Sequence, residues 1–177
     1  MDIINIEIKA QSTEQNRIRD ILREKHADFK GVDHQIDTYF NVTFGRLKLR
    51  EGTIENSLIY YNRPNQQGPK QSDIILFKSE PKSSLKQLLS ASLGILAVVD
   101  KKREIYFIDN VKFHIDSVKD LGTFIEIEAI DSNGSIGKEK LLAQCKQYLE
   151  LFKIHENDLI SVSYSDLLLE KQVQVII

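Results

Sequence analysis

The chain has 177 residues, 41% hydrophobic and 28% charged, with a formal net charge of −2; this composition fits one soluble globular domain over residues 1–177, with a core of its own. No apolar run approaches the roughly 20 residues that span a bilayer, and the start MDIINIEIKAQ lacks the basic and long apolar regions of a signal peptide. The expectation is a cytoplasmic protein with no membrane partner. The near-neutral charge argues against a general nucleic-acid surface, and the single cysteine, Cys145, excludes an internal disulfide or a cysteine-rich zinc site.

In chain order, residues 3–10 alternate Ile4, Ile6 and Ile8 with Asn5, Glu7 and Lys9, the period-2 pattern of a strand with one polar face. Ser12 or Thr13 is the expected cap of a helix running to about residue 27 on Ile18, Ile21 and Leu22. Asp33–Thr43 reads as a strand, and after Gly45 the run Arg46-Leu47-Lys48-Leu49-Arg50 completes a hairpin. Leu58–Arg63 is a further strand ended by Pro64. Residues 64–71 are rich in turn formers and read as a loop, putting Lys70 and Ser72 in or beside a mobile segment.

Asp73–Ser79 resumes a strand, and Pro81, Ser83 and Ser84 open a helix on Leu85, Leu88, Leu89 and Leu93 that Gly94 closes. Strands follow at Ile95–Lys101, Glu104–Asp109, Val111–Val118 and Gly122–Ile130. A helix after Gly137 carries Leu141, Leu142, Cys145, Leu149 and Phe152 on one stripe. A helical piece over Ser163–Lys171 and an apolar end, Val173–Ile177, complete the chain. About eight strands with three or four helices and no βαβ alternation predict an α+β fold with a mostly antiparallel sheet, permitting closure into a barrel.

The alternating strands share a feature. One face of Arg46–Arg50 is all cationic, and Glu126 and Glu128 alternate with Ile125 and Ile127. His114 and Asp116 share a face of their strand, as do Lys101 and Arg103 if the chain is continuous there. Two readings stay open: a solvated sheet face, or a curved sheet with charges inside and helices over its apolar outside. In the second, Lys and Arg suit phosphate oxygens. Carboxylates in the same space then call for a divalent cation such as Mg²⁺ or Mn²⁺ between them and the phosphates.

In order and spacing, the segments Asn5–Ala10, Asp37–Phe40, Gly45–Gly52, Leu58–Pro64, Gly68–Asp73 and His114–Glu128 resemble the CYTH superfamily, the triphosphate tunnel metalloenzymes, with a looser likeness at Ser163–Leu168. The resemblance implies an eight-stranded antiparallel β-barrel forming an open tunnel, with helices packed outside. It implies Glu7 and Lys9 as the last two members of a Glu-x-Glu-x-Lys signature. Lys48, Arg50 and Arg103 are implied as triphosphate-binding residues, with Arg63 and Lys101 as further phosphate contacts. Asp116, Glu126 and Glu128, with Glu7, are the implied metal set for Mg²⁺ or Mn²⁺. Lys70 and Tyr39 are further candidate substrate contacts, and Lys9 is a base if its pKa is lowered.

The implied activity is class IV adenylate cyclase-like, converting ATP to cyclic AMP and pyrophosphate, or triphosphate hydrolysis as in thiamine triphosphatases. ATP, thiamine triphosphate and inorganic tripolyphosphate are the candidate partners, and a homodimer stays open. Asn5 replaces the first Glu of the signature, which removes a charge from one metal position. The rival reading is therefore a non-catalytic nucleotide- or polyphosphate-binding protein. Tyr39 is read either as a base-stacking residue or as wall filler, and Cys145 as a packing residue. His26, His34 and His155 lack metal-ligand spacing and read as surface residues.

Overall fold

The computed structural model describes residues 4–175. Eight strands, β1 (Ile4–Gln11), β2 (Asp28–Phe40), β3 (Arg46–Gly52), β4 (Asn56–Asn62), β5 (Lys70–Lys78), β6 (Ile95–Ile108), β7 (Val111–Val118) and β8 (Gly122–Asp131), close into a barrel. Their order is β1-β5-β4-β3-β2-β6-β7-β8, with every pairing antiparallel. Four helices, α1 (Gln15–Glu24), α2 (Leu85–Leu93), α3 (Lys138–Leu151) and α4 (Tyr164–Val175), complete the described chain. The expected barrel is therefore present.

The barrel is mostly polar inside and apolar outside, and helices bury much of its outer face, while Ile75 and Phe77 of β5 and Leu96 and Val98 of β6 stay exposed. Ile6 and Ile8 of β1, Phe113 and Ile115 of β7 and Ile125 and Ile127 of β8 form the main core with Ile18 and Leu22 of α1 and Leu141 and Cys145 of α3. Leu49 and its partly buried neighbour Leu47 pack outward with Phe40 against Leu89 of α2. Period-2 geometry then turns Lys48 and Arg50 inward. The Cys145 thiol donates to the Ile6 carbonyl at 3.3 Å, and burial raises its pKa to about 12, as suits a packing residue.

Several boundaries differ from the sequence-based expectation. Residues 95–108 form one continuous strand rather than two, so Lys101 and Arg103 do share a face. The outward Glu104 between them and the next inward residue accepts from Arg19 of α1 at 3.0 Å, which keeps the charged run in the sheet. Lys70 begins β5, with register partner Glu7, instead of lying in a mobile loop. Its ammonium donates to the Gln66, Ile160 and Ser161 carbonyls. β2 starts at Asp28 rather than Asp33. The N-cap of α1 is Glu14, and neither Ser12 nor Thr13 caps it; Ser12 instead accepts from the Glu14 N–H just outside the helix. The helix ends at Glu24, short of residue 27. α4 extends through Val175, and the expectations for Ile3, Ile176 and Ile177 lie outside the described residues.

One end of the barrel is filled. Tyr39, Ile59, Tyr61, Val99, Val118 and Phe124 point inward there and bury against Tyr164, the first residue of α4. Phe124 and Tyr164 meet edge to face with ring centroids 4.9 Å apart. Arg46 lies at this rim as expected, bonded to Asn65 and Asp166. Among the described residues the cavity opens at the other end, bordered by the β3–β4 turn and by residues 78–81.

Candidate active site

The barrel encloses a cavity of about 640 Å³ lined by eight Lys and Arg side chains and five Glu, a size typical of small-molecule sites. Lys9, Tyr39, Lys48, Arg50, Arg63, Lys101, Arg103, Glu7, Glu126 and Glu128, all singled out in the sequence, line it together. Lys70 and Asp116 are buried but are not part of the lining.

Cations and carboxylates form two groups. In the first, Asp37 is fully buried and accepts from Arg50 Nε (2.9 Å) and Nη2 (3.1 Å), Lys48 Nζ (2.9 Å) and Lys101 Nζ (2.7 Å). Burial alone would raise its pKa, but Arg50, Lys101 and Lys48 outweigh burial and hold the carboxyl well below its usual range. One carboxylate cannot balance three cations. Burial, opposed by Asp37 and reinforced by Arg103, Arg50 and Lys48, brings Lys101 down to about 7. The Lys101 charge therefore depends on pH near neutrality.

The second group joins β1, β7 and β8. Glu126 meets Lys9 at 3.2 Å, Arg103 at 2.8 Å and His114 Nδ1 at 3.1 Å. Burial opposes its ionisation, yet Arg103 and Lys9 hold it well below the ordinary value. Glu7 pairs with Arg63 at 3.1 Å, and its pKa is raised, by burial first. Burial, opposed by the Glu126 attraction and helped by the Arg63 repulsion, leaves Lys9 below its ordinary value. The Lys9 ammonium also lies 4.0 Å from the Tyr164 ring centroid.

Asp116 accepts from Arg103 Nε at 2.7 Å and from the Tyr164 hydroxyl at 2.8 Å. Its contacts fix the Arg103 fork rather than facing the cavity. The donors that do converge are His114, Glu126 and Glu128, with one ligand atom of each within 4.8 Å of the others. Burial keeps His114 below its ordinary pKa and so favours the neutral imidazole. Among the described residues, four of the six buried polar atoms without a partner belong to the lining: Asn5 Oδ1, Arg63 Nη1, Ser72 Oγ and His114 Nε2. Carboxylate oxygens with an orphaned amide oxygen nearby on β1 suit a hard divalent cation, and the imidazole adds a nitrogen donor. The residues present thus fit such an ion.

Asp37, Glu55, Lys112 and Tyr164 are site residues that sequence reasoning did not assign. Asp37 shares the parity of Tyr39, and Lys112 that of His114 and Asp116, so the alternation could have found both. Glu55 sits in a turn, where no periodicity marks it. His26 and His155 are exposed, and His34 is exposed on the outer face of β2, paired with Asp100.

The CYTH domain signature matches residues 4–161. This chain belongs to the CYTH family. A protein of Methanocaldococcus jannaschii provisionally named an adenylate cyclase is 29% identical over 175 residues, covering 93% of this chain and 98% of the relative. A solved protein of Pyrococcus horikoshii superposes with a TM-score of 0.74 at 23% identity, covering 94% of this CYTH chain and 98% of its own. A provisionally named adenylyl cyclase of Hippeastrum, whose structure is described as revealing a dominant triphosphatase activity, superposes with a TM-score of 0.59 at 13% identity. That match covers 97% of this chain and 96% of the other; at these identities the two superpositions speak for the fold.

Proposed function

We propose that the barrel interior binds a triphosphate together with Mg²⁺ or Mn²⁺ and hydrolyses it. The observation that carries this reading is a single cavity joining buried Arg and Lys side chains to the His114, Glu126 and Glu128 donors. Lys48, Arg50, Arg63, Lys101 and Arg103 bind phosphate oxygens by charge-assisted bonds, the guanidinium forks taking two at a time. Asp116 and the Tyr164 hydroxyl orient Arg103 for this, and Asp37 orients Arg50. Glu126, Glu128 and His114, with Glu7 and Asn5 alongside, would hold the divalent ion. Bound there, the ion supplies charge neutralisation at the phosphates and a lowered pKa for coordinated water. Lys9, whose pKa burial lowers, is the candidate base for the attacking water in its neutral form, in which it no longer pairs with Glu126 as an ammonium. Tyr39 and Tyr61 shape the closed end and exclude bulk water.

A second reading, cyclisation of ATP with release of pyrophosphate, is supported by the provisional name of the M. jannaschii relative. It uses the same cations, with the ribose 3′ hydroxyl in place of water. A third, binding without turnover, is supported by Asn5, whose neutral amide stands where the family signature has a carboxylate.

Purified protein with Mg²⁺ or Mn²⁺ against tripolyphosphate, thiamine triphosphate and ATP separates these readings. Orthophosphate release that requires the divalent ion is the expected result. Cyclic AMP as the main product favours the second reading, and tight binding without any product favours the third. Neither binding nor turnover of any triphosphate overturns the proposal.

A further inference from the structure

The open mouth carries an ion-pair bridge whose Glu55 and Lys112 have no part in the proposed reaction. The Glu55 carboxylate accepts from Arg50 Nη1 at 2.9 Å and from Lys112 Nζ at 2.6 Å. Its turn extends β3, whereas Lys112 is on β7, and β2 and β6 lie between those strands in the barrel. The bridge therefore spans the lumen instead of joining neighbouring strands. It is also held in place: the fully buried Asp33 accepts from the Ile54 N–H (2.8 Å), the Glu55 N–H (3.0 Å) and the Thr53 hydroxyl (2.9 Å). Gly52 permits that approach, since a Cβ there would lie 2.7 Å from the Asp33 carboxylate.

Asp37 and Glu55 both accept from Arg50, but they differ in setting. The Asp37 side chain has no solvent exposure, whereas that of Glu55 is 28% exposed. Arg50, however, has an outer Nη1 that faces the mouth and carries Glu55. With the other end filled by Tyr39, Tyr61 and Tyr164, a phosphate chain longer than the cavity has, among the described residues, the Glu55 mouth through which to extend. Arg50 Nη1 and Lys112 are the cations its next phosphate would meet, and a carboxylate already occupies both.

We infer that Glu55 determines chain-length specificity: it holds Arg50 and Lys112 against further phosphates and so restricts the tunnel to short polyphosphates. This rests on the proposed triphosphate reading. A phosphate arriving there faces repulsion from Glu55 and must displace it from two cations, whereas a short ligand seated on Lys48, Lys101, Arg63, Arg103 and the Nε and Nη2 side of Arg50 leaves Nη1 and Lys112 on Glu55. Juxtaposed like charge is a recognised means of rejecting a wrong ligand.

The test is calorimetric titration of the full chain and of Glu55→Gln with pyrophosphate, tripolyphosphate and a long linear polyphosphate in metal-free buffer. Glu55→Gln keeps the turn, because Asp33 holds it through backbone groups, and a thermal melt checks that it does. The expected result is an affinity gain of about tenfold for the long chain and a clearly smaller gain for the two short ligands. Adding Lys112→Gln to Glu55→Gln should reverse the long-chain gain more than it weakens tripolyphosphate. Equal shifts at all three lengths, no shift, or weaker long-chain binding overturns the inference while leaving the triphosphate reading standing. No binding of any of the three by either protein, in metal-free buffer or with added Mn²⁺, overturns both.

Discussion

Replacing Asp37 by Asn perturbs the cation set at its centre. The change keeps the shape of the side chain and removes the one charge shared by Lys48, Arg50 and Lys101, whose atoms lie 2.7–3.1 Å from its oxygens. Stripping one partner from a buried ion pair destabilises a protein by about 3–5 kcal/mol, because the other charge is left uncompensated. Three cations share this carboxylate, so the upper part of that range applies, against a total stability of roughly 5–15 kcal/mol. For a chain of this size the thermal midpoint should fall by about 8–20 °C. Chemical denaturation at neutral pH, with and without tripolyphosphate, measures it. A polyanion supplies the missing charge, so saturating tripolyphosphate should stabilise Asp37→Asn more than the native protein. The pH dependence follows from the depressed pKa of Asp37. Its contribution is present above the unfolded Asp value of about 3.9 and is lost as pH falls through the folded value, so the two proteins should converge in acid. A variant within about 1 kcal/mol of the native protein, or one stabilised by tripolyphosphate no more than the native protein, refutes this reasoning.

Other expectations follow from the same contacts. Since Lys101 titrates near 7, tripolyphosphate affinity should fall as pH rises through that value, and Lys101→Arg, which stays charged, should flatten the profile in a binding titration. Leu49→Ala should lower stability by about 2–5 kcal/mol with little effect on triphosphate affinity, and Lys48→Ala should weaken that affinity more than stability. Equal effects on both quantities would contradict the inward and outward assignment of this strand. Asn5→Glu places a carboxylate two residues from Glu7 on the same face, and Mn²⁺ titration followed by paramagnetic resonance should then show tighter binding. Unchanged Mn²⁺ affinity would remove Asn5 from the ion site.

Alternation made much of this molecule legible. The pattern of Arg46–Arg50 gave both the strand and the two-sidedness that places Leu49 under α2 and Lys48 in the lumen. The same rule on β1 and β8 brought Lys9 and Glu126 to one face, and the barrel register then set them opposite each other. What alternation could not convey is which strands lie side by side. Asp37 is in a strand recognised from its pattern, and the expected hairpin puts β3 beside it, but its Lys101 partner comes from β6, far away in sequence, which flanks β2 on the other side. Residues 102 and 104 carry charge on the outer face, so Lys101–Glu104 looked like a break; the Arg19–Glu104 contact that sustains the strand is a tertiary one. Likewise Lys70 owes its order to the carbonyls of residues 160 and 161, far away in sequence.

The central claim is that the barrel interior is a triphosphate and divalent-ion site. A crystal structure with Mn²⁺ and a non-hydrolysable triphosphate, the ion located by its anomalous signal, tests it most directly. The expected result is phosphate oxygens on Lys48, Arg50, Lys101 and Arg103, with Mn²⁺ against Glu126, Glu128 and His114. A triphosphate bound on the outer surface, or a lumen that stays free of both ligand and ion at saturating concentration, would contradict it.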